Sequence, residues 1–327
     1  MSKKDEVKKA ISDALADINK KFGTNSINKI NEMDRVETVT SGSLSNDRAL
    51  GGGFALGKII EIYGDEACGK TGIALEFLRE VQASGGNVAM IDFEHALDPN
   101  YANKIGLDVD NIYISQPKDF EEGAYVLERL VDTLSFDAIL VDSVSAMTPR
   151  SEIEGETGEA KIGLQARLMS QLLRKITGKT NKAKCTIVFL NQIREKIGVM
   201  YGNPKTTSGG NALKFYASQR LEVKAVHIRG NDGNIGFTQR VRVVKNKAAA
   251  PFKVAERVIM YEEGVDLMKE LIDIAVDLDI ISRSGAWFNY GELKAQGKEK
   301  LSMLLEETPD AVIEIEKKIR AKFKSEE

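Results

Sequence analysis

A chain of 327 residues, 42% hydrophobic and 29% charged, can bury a large core beside smaller appendages and lacks the bias of a disordered or fibrous protein. No apolar run approaches a membrane span, the Lys-rich start has no apolar stretch behind it to act as a secretory signal, and two cysteines, Cys68 and Cys185, make no disulfide framework; the expected setting is reducing cytoplasm, with no membrane partner. The net charge of −3 hides an asymmetry: residues 161–260 hold 20 Lys or Arg against four acids, a surplus of 16, so the other 227 residues carry −19.

Val7, Ala10, Ile11, Ala14, Leu15, Ile18 and Phe22 recur at helical spacing up to Gly23. The polar residues 24–26 set this helix apart, so its apolar stripe needs a partner, either another chain or its own domain. From about Ser41 to Asn191, short apolar strands at 59–63, 87–92, 112–115, 138–142 and 186–191 alternate with helices at 71–84, 119–134 and 165–177. That alternation predicts an α/β fold with right-handed crossovers and a mostly parallel, covered central sheet. Segments 221–226 and 240–246 alternate polar with apolar residues around a turn at 231–233, which predicts an antiparallel extension. After Asp266 the pattern becomes a small, separate α+β domain. The expected division is 1–31, 32–266 and 267–327.

Between the first strand and the helix that follows it, Gly64, Asp65, Glu66, Ala67, Cys68, Gly69, Lys70 and Thr71 fit G-x-x-x-x-G-K-[ST]. A triphosphate needs this arrangement: the loop backbone closes on phosphate oxygens at a helix N-terminus. Lys70 is placed to reach the β- and γ-phosphates, and the Thr71 hydroxyl to join Mg²⁺. Asp142 ends the 138–142 strand, where an acid supports the same ion. Glu94, just past the 87–92 strand, lies where strand ends open onto a ligand crevice, and a carboxylate there can activate water; His95 is the rival for that task. Gln192 ends the 186–191 strand and can sense the γ-phosphate. It opens a long irregular run, 193–210, with Gly198, Gly202, Gly209, Gly210, cations Arg194, Lys196 and Lys205, and apolar Ile197, Val199, Met200 and Tyr201. Such a run suits DNA, through phosphate neutralisation and apolar wedges. Arg167 and Arg174 in the basic block, and the polar Asn211, are further expected DNA contacts. Cys68 beside Lys70 at a helix start is expected to be a reactive thiolate, protected by bound nucleotide.

Dense stretches of the chain resemble the bacterial RecA recombinases: 91–99 (IDFEHALDP), 141–144, 152–156, 191–194, 197–200, 209–218 (GGNALKFYAS) and 243–247. The register holds from the N-terminal helix to about Phe323. The resemblance implies a RecA-type core with an N-terminal docking segment, and an ATP- and Mg²⁺-dependent filament on single-stranded DNA that exchanges strands with homologous double-stranded DNA. It makes Glu94 the catalytic carboxylate and Gln192 the γ-phosphate relay, and puts Asp98, Tyr101 and Tyr261 near the adenine. It makes 152–163 and 192–210 the two DNA loops with Ile162 and Ile197 as wedges, and Arg240 with Arg242 a second DNA site. Lys245 and Lys247 are implied to reach ATP on the neighbouring subunit, and the N-terminal helix and Phe215 to lie at that interface. The chain departs from the family at Cys68, commonly serine, at Lys205, typically glutamate, at Glu195, typically apolar, at a short Gly51-Gly52-Gly53 turn, and in ending soon after Phe323 without a long acidic tail. A ring helicase and an ATP-gated scaffold are the rival readings; the Gly-rich run and docking helix argue against the ring, and the pair Glu94 and Gln192 argues for hydrolysis.

Overall fold

The computed structural model describes residues 3–23, 27, 36–156, 163–195, 205–230 and 233–325. The chain divides into two compact units, Met1–Val36 and Glu37–Glu327. In the first, α1 (Lys3–Phe22) has Asp5 and Glu6 in its first turn and Lys20 and Lys21 in its last, each complementing the helix dipole. It buries no side chain, and Val7, Ile11 and Phe22 stand exposed.

The second unit opens with β1 (Thr38–Val39), α2 (Leu44–Leu50) and β2 (Phe54–Ala55), β1 pairing β2 antiparallel. There follow β3 (Ile59–Gly64), α3 (Lys70–Ala83), β4 (Val88–Asp92), α4 (Pro99–Ile105), β5 (Ile112–Ser115), α5 (Phe120–Asp132), β6 (Ala138–Asp142), the short α6 (Arg150–Ile153) and α7 (Leu164–Ala183). Next come β7 (Thr186–Glu195), β8 (Lys205–Thr207), α8 (Ala212–Tyr216), β9 (Gln219–Gly230), β10 (Gly233–Asn246), β11 (Val254–Met260) and β12 (Gly264–Val265). The last stretch holds α9 (Leu267–Asp277), β13 (Ser282–Ser284), β14 (Trp287–Tyr290), β15 (Leu293–Gln296), α10 (Lys298–Glu306) and α11 (Pro309–Ser325).

The main sheet runs in the order β12-β11-β10-β9-β3-β7-β6-β4-β5, with β8 attached to β7. From β9 across to β5 every pairing is parallel, whereas β9 through β12 are antiparallel. β4 and β6 are buried throughout, which explains why they read as unbroken apolar runs: helices cover both faces. One core packs α3 with Phe54, Ile60, Ile62 and Leu190, and the Phe54 and Phe77 rings meet edge to face at 5.0 Å. The other packs α5 and α7 with Ile139, Ile187 and Phe189.

The parallel core and the antiparallel extension agree with the expectation from sequence. Two details differ. β7 runs four residues past Asn191, so the start of the expected irregular run is strand, closed by β8 in the register Ile193↔Thr207, Arg194↔Thr206 and Glu195↔Lys205. β11 was not expected at all; it pairs with β10 from Gly236↔Met260 to Arg242↔Val254.

The C-terminal stretch has its own apolar core of Leu271, Ile272, Phe288, Leu301, Ile315, Ile319 and Phe323, and Leu44 of α2 joins it. Polar bonds tie it to the larger body. Ser43 Oγ donates to Glu270 Oε1 at 2.6 Å, and Arg320 Nη1 lies 3.1 Å from Oδ2 of the buried Asp47. Among the described residues no helix is long and apolar enough to cross a membrane.

Candidate nucleotide and DNA site

The phosphate loop leaves β3 at Gly64 and enters α3 through Gly69, which has φ +80°. A side chain at Gly69 would collide with Gln239 Nε2 at 2.4 Å, so both conformation and space require glycine. Gly69 supplies no side-chain cap to α3, so the first N–H groups of that helix are left for a ligand. Asp65, Glu66 and Ala67 are exposed, and Lys70 Nζ donates to Asp65 O at 2.6 Å and Gly64 O at 3.4 Å.

The Cys68 side chain overturns the expectation of a reactive thiolate. It is buried, its Sγ donates to Asp65 O at 3.0 Å, and burial pushes its thiol up despite the opposing charge of Lys70. A β-carbon on Gly64 would lie 2.8 Å from that sulfur, and Lys70 Nζ lies 3.8 Å from it, so the thiol is enclosed between Gly64, Asp65 and Lys70. Cys185 is buried in the α7 core and pushed up to about 12.

Thr71 Oγ1 donates to Asp142 Oδ2 at 3.1 Å. Burial, with Glu94 and Asp92 nearby, pushes the Asp142 carboxyl up to about 7, so the site favours a cation. Among the described residues no cluster of three His, Cys, Asp or Glu could hold a metal alone. One hydroxyl and one carboxylate fit Mg²⁺, which takes few protein ligands and completes its shell with phosphate oxygens and water.

Glu94 follows β4 and its N–H donates to Asp92 Oδ1 at 3.1 Å. Its Oε1 accepts from Ser143 Oγ and, at 3.3 Å, from Gln192 Nε2. Ser143 carries no signal in the sequence beyond following Asp142, and it was missed. Gln192 is oriented by Asn191, whose Oδ1 accepts from Gln192 N at 2.9 Å and whose Nδ2 donates to Glu61 Oε1 and Ser208 O, both at 3.0 Å. His95 is exposed with φ +53° and joins none of these bonds. Asp98 caps α4, accepting from Asn100 N at 2.9 Å. The Tyr101 hydroxyl lies over Gly72 in the first turn of α3. Tyr261 is half exposed, with its hydroxyl 3.2 Å from His227 Nδ1 and its ring 6.0 Å from that of Phe237, which in turn abuts Gly69.

Lys245 Nζ donates to Lys214 O at 2.8 Å and Phe215 O at 2.9 Å, two carbonyls of α8; burial and the charge of Lys247 push its amine down. Lys247 and Phe215 are exposed.

Arg167 and Arg174 lie exposed two turns apart on α7, and Arg194 is exposed near the end of β7. Arg240 and Arg242 are exposed on one face of β10, Arg240 pairing Glu256 at 3.2 Å. Gly209 and Gly210 pack against Val144 and Ala166, so their small size is needed internally, and exposed Asn211 begins α8. The expected contacts Ile162, Ile197, Gly198, Val199 and Met200 lie outside the described residues. Sequence reasoning also missed Glu76, Gln239 and Arg257, polar side chains buried behind the loop. The signal was present: Arg257 sits at an inward position between Ala255 and Ile259, and Glu76 interrupts the apolar face of α3.

A family model described as the RecA N-terminal domain matches residues 9–266, and one described as the RecA C-terminal domain matches residues 269–324. Protein RecA of Clostridium novyi (strain NT) is 50% identical over 322 residues, which cover 97% of this chain and 92% of that protein. Protein RecA of Staphylococcus aureus (strain JH9) is 49% identical over 320 residues, 96% of this chain and 92% of that protein. The crystal structure of the RadB recombinase shares the fold, with a TM-score of 0.54 and 24% identity over 70% of this chain and 98% of that one.

Proposed function

Because the chain belongs to the RecA family, we propose that it is a DNA-dependent ATPase that assembles as a helical filament on single-stranded DNA and exchanges strands with homologous double-stranded DNA, in recombination and DNA repair. The observation that carries this reading is the convergence of Lys70, Thr71, Asp142, Glu94 and Gln192 at the C-terminal side of the parallel strands β3, β4, β6 and β7. On this reading the cytoplasm, where DNA is copied and repaired, is its place of action.

ATP enters with its phosphates on the loop, and Lys70 exchanges its bonds to Asp65 O and Gly64 O for the β- and γ-phosphate oxygens. Thr71 and Asp142 are the residues to hold Mg²⁺, which supplies charge neutralisation on the phosphates when bound. Ser143 and Gln192 both donate to Glu94 Oε1, leaving Oε2 to take the proton of the attacking water. Asp98, Tyr101 and Tyr261 are assigned to the adenine end.

Gln192 stands on the strand that leads into the second DNA loop, so DNA on that loop is felt at Glu94 through one side-chain amide. Arg167, Arg174, Arg194 and the 197–200 and 209–211 segments serve the first DNA strand, and Arg240 with Arg242 the second. Residues 1–31 dock on a neighbouring protomer, 32–266 carry ATPase and DNA sites, and 267–327 form the C-terminal domain. Lys245 and Lys247 complete the ATP site of that neighbour. Electron microscopy with ATP and single-stranded DNA tests the reading: helical filaments are expected, and closed rings or no assembly would overturn it.

A further inference from the structure

Behind the phosphate loop runs a buried polar chain that the steps above do not use. Gln239 Nε2, fully buried on β10, donates to Cys68 O at 2.9 Å and to Gly69 O at 3.2 Å. Arg257 Nε, on β11, donates to Gln239 Oε1 at 2.8 Å, and Arg257 Nη1 donates to Glu76 Oε2 on α3, also at 2.8 Å. Three elements, β10, β11 and α3, are thus joined behind two consecutive peptides of the loop.

A trans peptide is planar, with its C=O and N–H pointing in opposite directions. The Cys68 carbonyl shares a peptide with Gly69 N–H, and the Gly69 carbonyl shares one with Lys70 N–H. Gln239 holds Cys68 O and, together with Ile73 N of α3 at 3.3 Å, Gly69 O, which turns both N–H groups to the opposite side, where the start of α3 leaves donors for phosphate. A glutamine amide can present either end. Arg257 can only donate, so it claims Oε1 and commits Nε2 to the loop, and Glu76 in turn fixes Arg257.

Stability does not account for the arrangement. A buried ion pair is often no better than apolar residues of similar volume, and Arg257 Nη2 is buried with no hydrogen-bond partner among the described residues, which carries a further cost. We infer that Gln239 is a positioning residue for the triphosphate: it sets two loop peptides with their N–H groups toward the ligand, and the Arg257–Glu76 pair sets the direction of its amide. This rests on the reading of the loop as the ATP site.

Gln239→Met keeps the length of the side chain and removes the donor. Titration with a fluorescent ATP analogue and steady-state ATPase assays on single-stranded DNA should show Kd and KM for Mg·ATP rising roughly tenfold, the order of one lost net hydrogen bond. The kcat at saturation should stay within about threefold, as for an interaction held equally in ground and transition states. The double variant Glu76→Met/Arg257→Met exchanges the ion pair for apolar bulk, which keeps the fold at wild-type or higher Tm. It frees the amide of Gln239 to turn, and KM should rise about threefold, short of the Gln239→Met effect. A lower Tm with wild-type Kd and KM in Gln239→Met, or wild-type KM in the double variant, overturns the inference. Wild-type protein that binds no ATP would remove the reading beneath it, whereas wild-type binding that the variants retain removes the inference alone.

Discussion

Glu94 lies two residues past the end of β4 and Gln192 lies within β7, two strands separated by β6, and their side chains meet across it with Gln192 Nε2 3.3 Å from Glu94 Oε1. Ser143, just past the end of the intervening strand, donates to the same oxygen. The carboxylate assigned to water is therefore held by one group just past the end of the adjacent strand β6 and one from β7 beyond it, the strand proposed to lead to the DNA loop.

Glu94→Gln keeps the shape of this contact and removes the base. ATP turnover on single-stranded DNA is expected to fall by about 10²- to 10⁴-fold, while ATP-dependent DNA binding persists. Near wild-type turnover in the variant would reassign the base.

For Gln192→Ala the expected loss is in coupling. Stimulation of ATPase by DNA should collapse toward the DNA-free rate, with ATP binding within about twofold, because the amide touches Glu94 and not the phosphate loop. A variant that keeps full DNA stimulation would break the proposed link.

Lys245 is tied to α8 within its own chain and is proposed to serve a neighbour's ATP. Lys245→Ala should lose turnover in filaments while single protomers still bind nucleotide. Mixing it with Glu94→Gln should restore some activity where an intact Glu94 faces an intact Lys245. Mixed filaments without any rescue would show that the site is not shared.

The two buried cysteines give a pH prediction. The Cys185 thiol is raised in the fold from about 9 to about 12, so it binds its proton more tightly folded than unfolded. Its contribution is fully present below pH 9 and is lost as pH rises toward 12, at up to about 1.4 kcal/mol per pH unit. Chemical denaturation at pH 8 and pH 10 should show Cys185→Val losing less stability than wild type. Maleimide should label neither Cys68 nor Cys185 in the native protein at pH 7.5; prompt native labelling of Cys68 would restore the reactive-thiolate view.

The phosphate loop was legible because eight consecutive residues carry it, and the buried parallel strands because covering on both faces leaves unbroken apolar runs. Asp142 was legible as an acid ending such a run. What could not be read depends on neighbours distant in sequence. Cys68 looks activated beside Lys70, yet Gly64 and Asp65 enclose its sulfur. β11 mixes exposed Val254 and Val258 with buried Arg257, so its alternation is masked. The extension of β7 exists only because 205–207 return to pair with it.

β10 works as a ruler marked on both faces. Gln239, Val241 and Val243 are buried on one face, Gln239 against the loop and the valines in the core with α3, while Arg240 and Arg242 are exposed on the other face. A register shift between Val243 and Lys245 against β9 breaks this parity and re-aims Lys245, as a bulge does, toward α8. Spacing along this strand is thus as constrained as residue identity. Removing a single residue between Gln239 and Lys245 would exchange the two faces beyond the deletion, driving an arginine or lysine into the core and an apolar side chain into solvent, whereas conservative substitutions there leave each address intact. Gene variants in this family member should accordingly tolerate replacement along β10 far better than single-codon insertion or loss.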